Sequence, residues 1–158
     1  MELFSRVPDA LSPGEDSRLT PIPTEEGISS LSAILMDDAY SFFLKAGARE
    51  LNGLSFAGPG HLIPLKAKAW LDLSTRRAQG HKIDSRSIKK HRNDVLRLYR
   101  IINPDRMIET PVGIRRELAL FIDRLPDQQI DLNALDLARV GLDKVATDLR
   151  RIYGLDKG

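Results

Sequence analysis

The sequence predicts an α+β fold: a small N-terminal β-sheet followed by a predominantly helical bundle. Three observations carry this expectation. Short alternating apolar runs occur only in the first third of the chain. Apolar residues recur at helical spacing through most of the remaining two thirds. The tripeptide GPG at 58–60 breaks the chain between the two regimes. We therefore expect a front α/β unit over 1–57 and a helical region over 58–158.

Glu2 to Val7 (ELFSRV) is expected to form a short strand. Residues 8–28 hold four prolines and two glycines and are expected to form an irregular loop. Leu31, Ala33 and Leu35 alternate as a second strand would. Asp37 or Asp38 is placed to cap a helix through AYSFFLKAG, stopped near Gly47. ELNGLSFA at 50–57 is a third strand candidate, interrupted at Gly53. A helix is expected from about His61 to Ala78, and a second, capped by Asp84 or Ser85, to about Ile102. Thr110-Pro111 is expected to open a third helix, with Pro111 at its first position. That helix would carry Ile114, Leu118, Phe121 and Leu125 on its apolar side and stop at Pro126. A last helix is expected from about Leu142 to Tyr153.

Composition narrows the chemistry. The chain is 42% hydrophobic and 29% charged, as soluble globular proteins are. It has no cysteine, which excludes disulfides, thiolate catalysis and cysteine-ligated zinc. His61, His81 and His91 share no metal-ligand spacing, so no zinc site is expected. No apolar run is long enough to cross a bilayer, and MELFSRVPDALSPGEDSR lacks the apolar core of a secretory signal. A cytoplasmic protein with no membrane partner is expected. The net charge is only +2, but bases cluster locally at Arg76, Arg77, Lys89, Lys90 and Arg92. Such clusters are either solvated helix faces or a phosphate or nucleic-acid surface.

The chemistry-bearing signal lies in LIPLKAKAWLDL (62–73) and SIKKHRNDVLRLYRII (87–102). At 100° per residue, Leu62, Leu65, Ala69, Trp70 and Leu73 share one side of the first helix, with Lys66 among them. Lys68 points roughly the opposite way, with Asp72 and Thr75. In the second helix the stripe is Ile88, Val95, Leu98, Tyr99 and Ile102, with His91 inside it and Asp94 at its edge. Charged groups are rarely buried without a partner, so a lysine and an aspartate drawn toward one core suggest a site. Plainer accounts exist for each. The Lys66 stem can lie along the core with its ammonium in water. Asp94 can pair with Lys90 or Arg97 along its own helix. His91 can be an ordinary core histidine.

These two runs resemble the C-terminal half of bacterial nucleotidyltransferase-like proteins of the AbiE toxin type, in the DNA polymerase β-like nucleotidyltransferase superfamily. There a helix with a lysine, two variable positions, then alanine and an apolar residue follows a proline-containing turn; PLKAKAW fits, with Lys66 at the lysine. A later helix in that family has a basic residue, Asp, two variable positions, Asp and Leu. NDVLRL fits with Asp94 and Leu98, but Asn93 replaces the basic residue and Arg97 the second aspartate. The resemblance covers about residues 50–103. It implies that Lys66 holds nucleotide phosphates, with His91 beside it. Asp94 would orient Lys66 or act as base on the acceptor hydroxyl. It further implies that 1–57 is a partial nucleotidyltransferase-like core and that the fold is incomplete.

The family's Mg²⁺ site is a Gly-Ser turn followed by Asp-x-Asp, and this chain has neither. Glu2 matches the superfamily's third acidic residue, flanked by apolar positions, and is the one metal-ligand candidate. The resemblance thus implies a protein that lacks the metal-binding half: a truncated reading, a split protein or a decayed relative, inactive as it stands. Mg²⁺ and a nucleoside triphosphate would be cofactor and substrate only with that half present. The competing expectation is a non-catalytic helical module that binds RNA or an antitoxin-like protein. A homodimer is expected if the missing half leaves edges exposed.

Overall fold

The computed structural model describes Ile34 and residues 37–156. The strand expected at Glu2–Val7, the loop at 8–28 and Glu2 itself lie outside these residues. Of the strand expected at Leu31–Leu35, only Ile34 is described, and it is helical and buried. The described residues form an α+β structure of five helices and one two-stranded antiparallel sheet. In order they are α1 (Asp38–Ala46), β1 (Ala48–Leu51), β2 (Leu54–Ala57), α2 (Pro59–Ala78), α3 (Ser85–Tyr99), α4 (Val112–Asp123) and α5 (Leu142–Ile152).

Side-chain caps set the starts of α1 and α3. The Asp37 carboxylate accepts from the backbone N–H of Ala39 at 2.9 Å and of Tyr40 at 3.3 Å, and Gly47 ends α1. The segment expected as one interrupted strand is instead a hairpin. Asn52 and Gly53 both take positive φ, 52° and 75°, the geometry of a type I′ turn that fits the strand twist. Leu51 pairs with Leu54, and Ala48 with Ala57. Asp84 caps α3 through the Arg86 N–H at 2.9 Å. That helix ends at Tyr99, earlier than expected. The start of α4 also differs from expectation. Pro111 occupies the cap position itself, and the Thr110 hydroxyl donates to the Ile108 carbonyl at 2.8 Å rather than capping the helix.

α2 is the central helix. It packs most extensively on α3, next on α4, and also touches α1. Ile63, Leu65, Ala67, Ala69, Trp70 and Leu71 are buried along it. They meet Val95 and Leu96 of α3, Ile114, Leu118 and Phe121 of α4, and Val145, Leu149 and Ile152 of α5 in one apolar core. Burying each such side chain stabilises by roughly 1.5–3 kcal/mol. Trp70 and Phe121 meet edge to face, with centroids 5.3 Å apart.

Pro64 sits inside α2 and has no N–H to give to the carbonyl four residues earlier, that of Gly60. The Tyr153 hydroxyl, just past α5, donates to that carbonyl at 2.6 Å. Burial pushes the Tyr153 phenol well above its ordinary pKa, so it stays a donor. A Cβ at Gly60 would meet the Cδ1 methyl of Ile108, which would have to shift to admit it. The end of the fold therefore completes the backbone of the central helix close to Lys66.

Candidate functional site

α2 and α3 bring Lys66 and Asp94 together. The Lys66 ammonium lies 3.8 Å from Asp94 Oδ2, an ion pair longer than a hydrogen bond. Lys66 is only 8% exposed, which places its whole side chain among the core residues of α2. Asp94 also receives Arg97 at 3.4 Å on its other oxygen. His91, one turn before Val95 on the same side of α3, is buried. Lys66 and Asp94 thus meet across the α2–α3 contact, His91 is buried one turn earlier on α3, and the wheel positions of all three match their burial.

Mg²⁺ does not suit this arrangement. It demands several oxygen ligands, and the charged neighbours of Asp94 are two cations. Among the described residues no three histidines or carboxylates converge as a metal cage.

The basic cluster divides. Lys89 and Lys90 are exposed on α3, Arg77 is exposed near the end of α2, and Arg76 is half-buried. Arg92 departs from the expected patch. It is buried, beside His91 and one turn before the core residue Leu96. Arg86 and Arg97 lie on the same solvent face as Lys89 and Lys90. That face of α3 carries cations over more than two turns.

Two polar clusters go beyond the sequence expectations. Lys68 does not point into water but reaches α4. It donates to Glu117 Oε1 at 2.5 Å and pairs with Asp72 at 3.3 Å. The buried Tyr40 hydroxyl donates to the other Glu117 oxygen at 2.7 Å, tying α1 to the same carboxylate. Burial alone would lower the Lys68 pKa, but the hydrogen bond to Glu117 and the Asp72 charge outweigh it and hold it above its ordinary value. Burial, with Glu117 adding to it, raises the Tyr40 phenol strongly.

In the second cluster Asp148 of α5 is only 2% exposed. It accepts from Tyr99 of α3 at 2.7 Å, from Lys144 at 2.5 Å and from Arg151 at 3.2 Å. Burial opposes its charge, yet the hydrogen bonds from Lys144 and Tyr99 and the Arg151 charge hold it below the ordinary carboxylate value. Tyr99 is pushed up to about 12, first by burial and then by Asp148. A signal for Asp148 is present in the sequence, since it falls on the side of α5 that carries Val145, Leu149 and Ile152. The partnership of Lys68 with Glu117, 49 positions away, leaves no local trace.

Comparisons with protein-family models, with curated proteins and with solved structures returned no match.

Proposed function

We propose that this chain is the phosphate-orienting half of a nucleotidyltransferase-like protein, in which Lys66 holds nucleotide phosphates and Asp94 orients Lys66. The observation that supports this reading is the juxtaposition of Lys66 and Asp94 at 3.8 Å on two core helices. Phosphoryl-type transfer depends mainly on positioning and charge neutralisation, and a lysine is a point charge suited to phosphate. The chain carries no Gly-Ser turn with a following Asp-x-Asp, so Mg²⁺-dependent transfer requires carboxylates from elsewhere.

Titration with each of the four nucleoside triphosphates tests the reading. Binding is expected, with Lys66→Met weakening it by tenfold or more, and no nucleotidyl transfer is expected from this chain with Mg²⁺. Unchanged affinity in Lys66→Met overturns the role given to Lys66. Transfer that Asp94→Ala abolishes overturns the inactivity.

The cation face of α3 supports a second reading, a non-catalytic module for RNA or an antitoxin-like protein. Arg86, Lys89 and Lys90 have no ion-pair partner among the described residues. RNA binding that falls with salt and is lost on reversing these charges supports it; binding indifferent to both excludes it. No described helix is long and apolar enough to cross a membrane.

A further inference from the structure

Arg92 has a burial and a partner set that the fold alone does not require. It is 6% exposed, and no carboxylate among the described residues pairs with it. Its hydrogen bonds go to one neutral atom, Asn93 Oδ1, at 3.2 Å from Nε and 3.1 Å from Nη2. Burial pushes the guanidinium pKa down, and no neighbouring negative charge opposes that shift. A buried cation without an anion is costly, and Arg is the side chain whose planar fork matches an oxyanion.

We propose that Lys89, Arg92 and Asn93 form a binding site for a phosphate-type oxyanion on the flank of α3 opposite Asp94. Arg92 is two residues from Asp94 and so points about 200° away from it, which turns its guanidinium from the Lys66 pair. Lys89 lies one turn before Arg92, a helical neighbour at i−3, and is exposed. The Asn93 oxygen is taken up by Arg92, which fixes the guanidinium plane and leaves the Asn93 amide N–H₂ as a donor. All three groups then offer donors, so the fitting ligand is one that only accepts. A tetrahedral phosphate can present oxygens to three such groups at once, where a planar carboxylate serves two. The phosphate can belong to a nucleic-acid backbone continuing along the α3 cations, or to a small phosphate ester. The site shares no residue with Lys66 and Asp94, so either proposal can fail alone.

The test uses the full chain and inorganic phosphate, compared with chloride at equal ionic strength. At tenfold above its Kd, phosphate is expected to raise the unfolding midpoint by about 3–6 °C. It should also shift the Arg92 Nε–H resonance in ¹⁵N NMR. Lys89→Met, at an exposed position, is expected to weaken binding about tenfold, and Lys45→Met on α1 to leave it unchanged. Arg92→Met should abolish the response; should that variant fail to fold, Lys89→Met and the Nε resonance decide. A labelled polyuridylate of about 20 nucleotides, long enough to follow the α3 cations, forms the second arm. Displacement of phosphate by it at far lower concentration assigns the site to a phosphodiester backbone, and binding of phosphate alone assigns it to a small phosphate. The proposal is overturned if neither probe moves the midpoint or the Arg92 resonance, or if Lys89→Met binds phosphate as wild type does.

Discussion

Lys66 and Lys68 stand two positions apart on α2 and live in different chemistry. Lys68 donates a 2.5 Å hydrogen bond to Glu117, has Asp72 at 3.3 Å, and shares Glu117 with the Tyr40 hydroxyl. Lys66 is the more buried of the two, yet Asp94 stands 3.8 Å away. The lysine on the opposite side of α2 from the apolar stripe is thus tied into a short-bonded cluster linking three helices. The lysine expected to be buried makes a long ion pair. Burial alone therefore does not separate a strut from a site.

The contrast breaks or holds under substitution. The largest effect is expected from Glu117→Ala, which strands a buried phenol and leaves the half-buried Lys68 ammonium with Asp72 alone. We expect a loss of about 2–4 kcal/mol by urea denaturation at pH 7. A loss under about 1 kcal/mol would make the Lys68 cluster ornamental and dissolve the comparison. Asp148→Asn follows at about 1.5–3 kcal/mol, the scale of charge-assisted hydrogen bonds. Its pH dependence sharpens the point. The folded carboxyl sits below its ordinary value of 3.8, so its contribution is full above that pH and fades as pH falls through the folded value. The acid limb of the Asn variant should be correspondingly flatter.

Tyr153→Phe is expected to cost about 1–3 kcal/mol by leaving the Gly60 carbonyl short of a donor. In a Pro64→Ala background, where a backbone N–H can return to that carbonyl, the cost should shrink; equal costs in both backgrounds would refute the pairing. Lys66→Met should change stability least, by under about 1 kcal/mol, because Asp94 keeps Arg97 and the core keeps its volume. A loss of about 3–5 kcal/mol would instead make Lys66–Asp94 a structural pair. At the alkaline end, the raised Lys68 pKa gives stability that is full below its ordinary 10.5 and lost as pH rises through the folded value. Lys68→Met should remove that part of the alkaline limb.

Local signals carry far in this sequence, and long-range ones do not. Asp37 and Asp84 announce the starts of α1 and α3 because a cap acts on residues two or three positions away. The burial of Lys66 and His91 follows from helical spacing alone. The hairpin escapes a reading that starts the strand at Glu50 rather than Ala48, although Asn52-Gly53 is its strongest local mark. Pro111 stands one position from its expected place because Thr110 has a competing acceptor in Ile108. A run of bases suggests solvent for Arg92, whereas the structure buries it. Glu117 and Tyr153 cannot be matched to Lys68 and Gly60 from pattern, since those contacts span 49 and 93 positions.

The proline in α2 has a consequence in time as well as in space. A growing chain emerges from its N-terminus onward, so α2 can form well before Tyr153 exists. Until then the first turn of that helix has a carbonyl that its own backbone cannot satisfy. The last helix closes it, and with it docks Ile108, whose N–H bonds to the Ile152 carbonyl at 2.8 Å. The first turn of α2 is therefore completed only once Tyr153 is present to dock on it. A product that ended before Tyr153 would leave the Gly60 carbonyl without that donor.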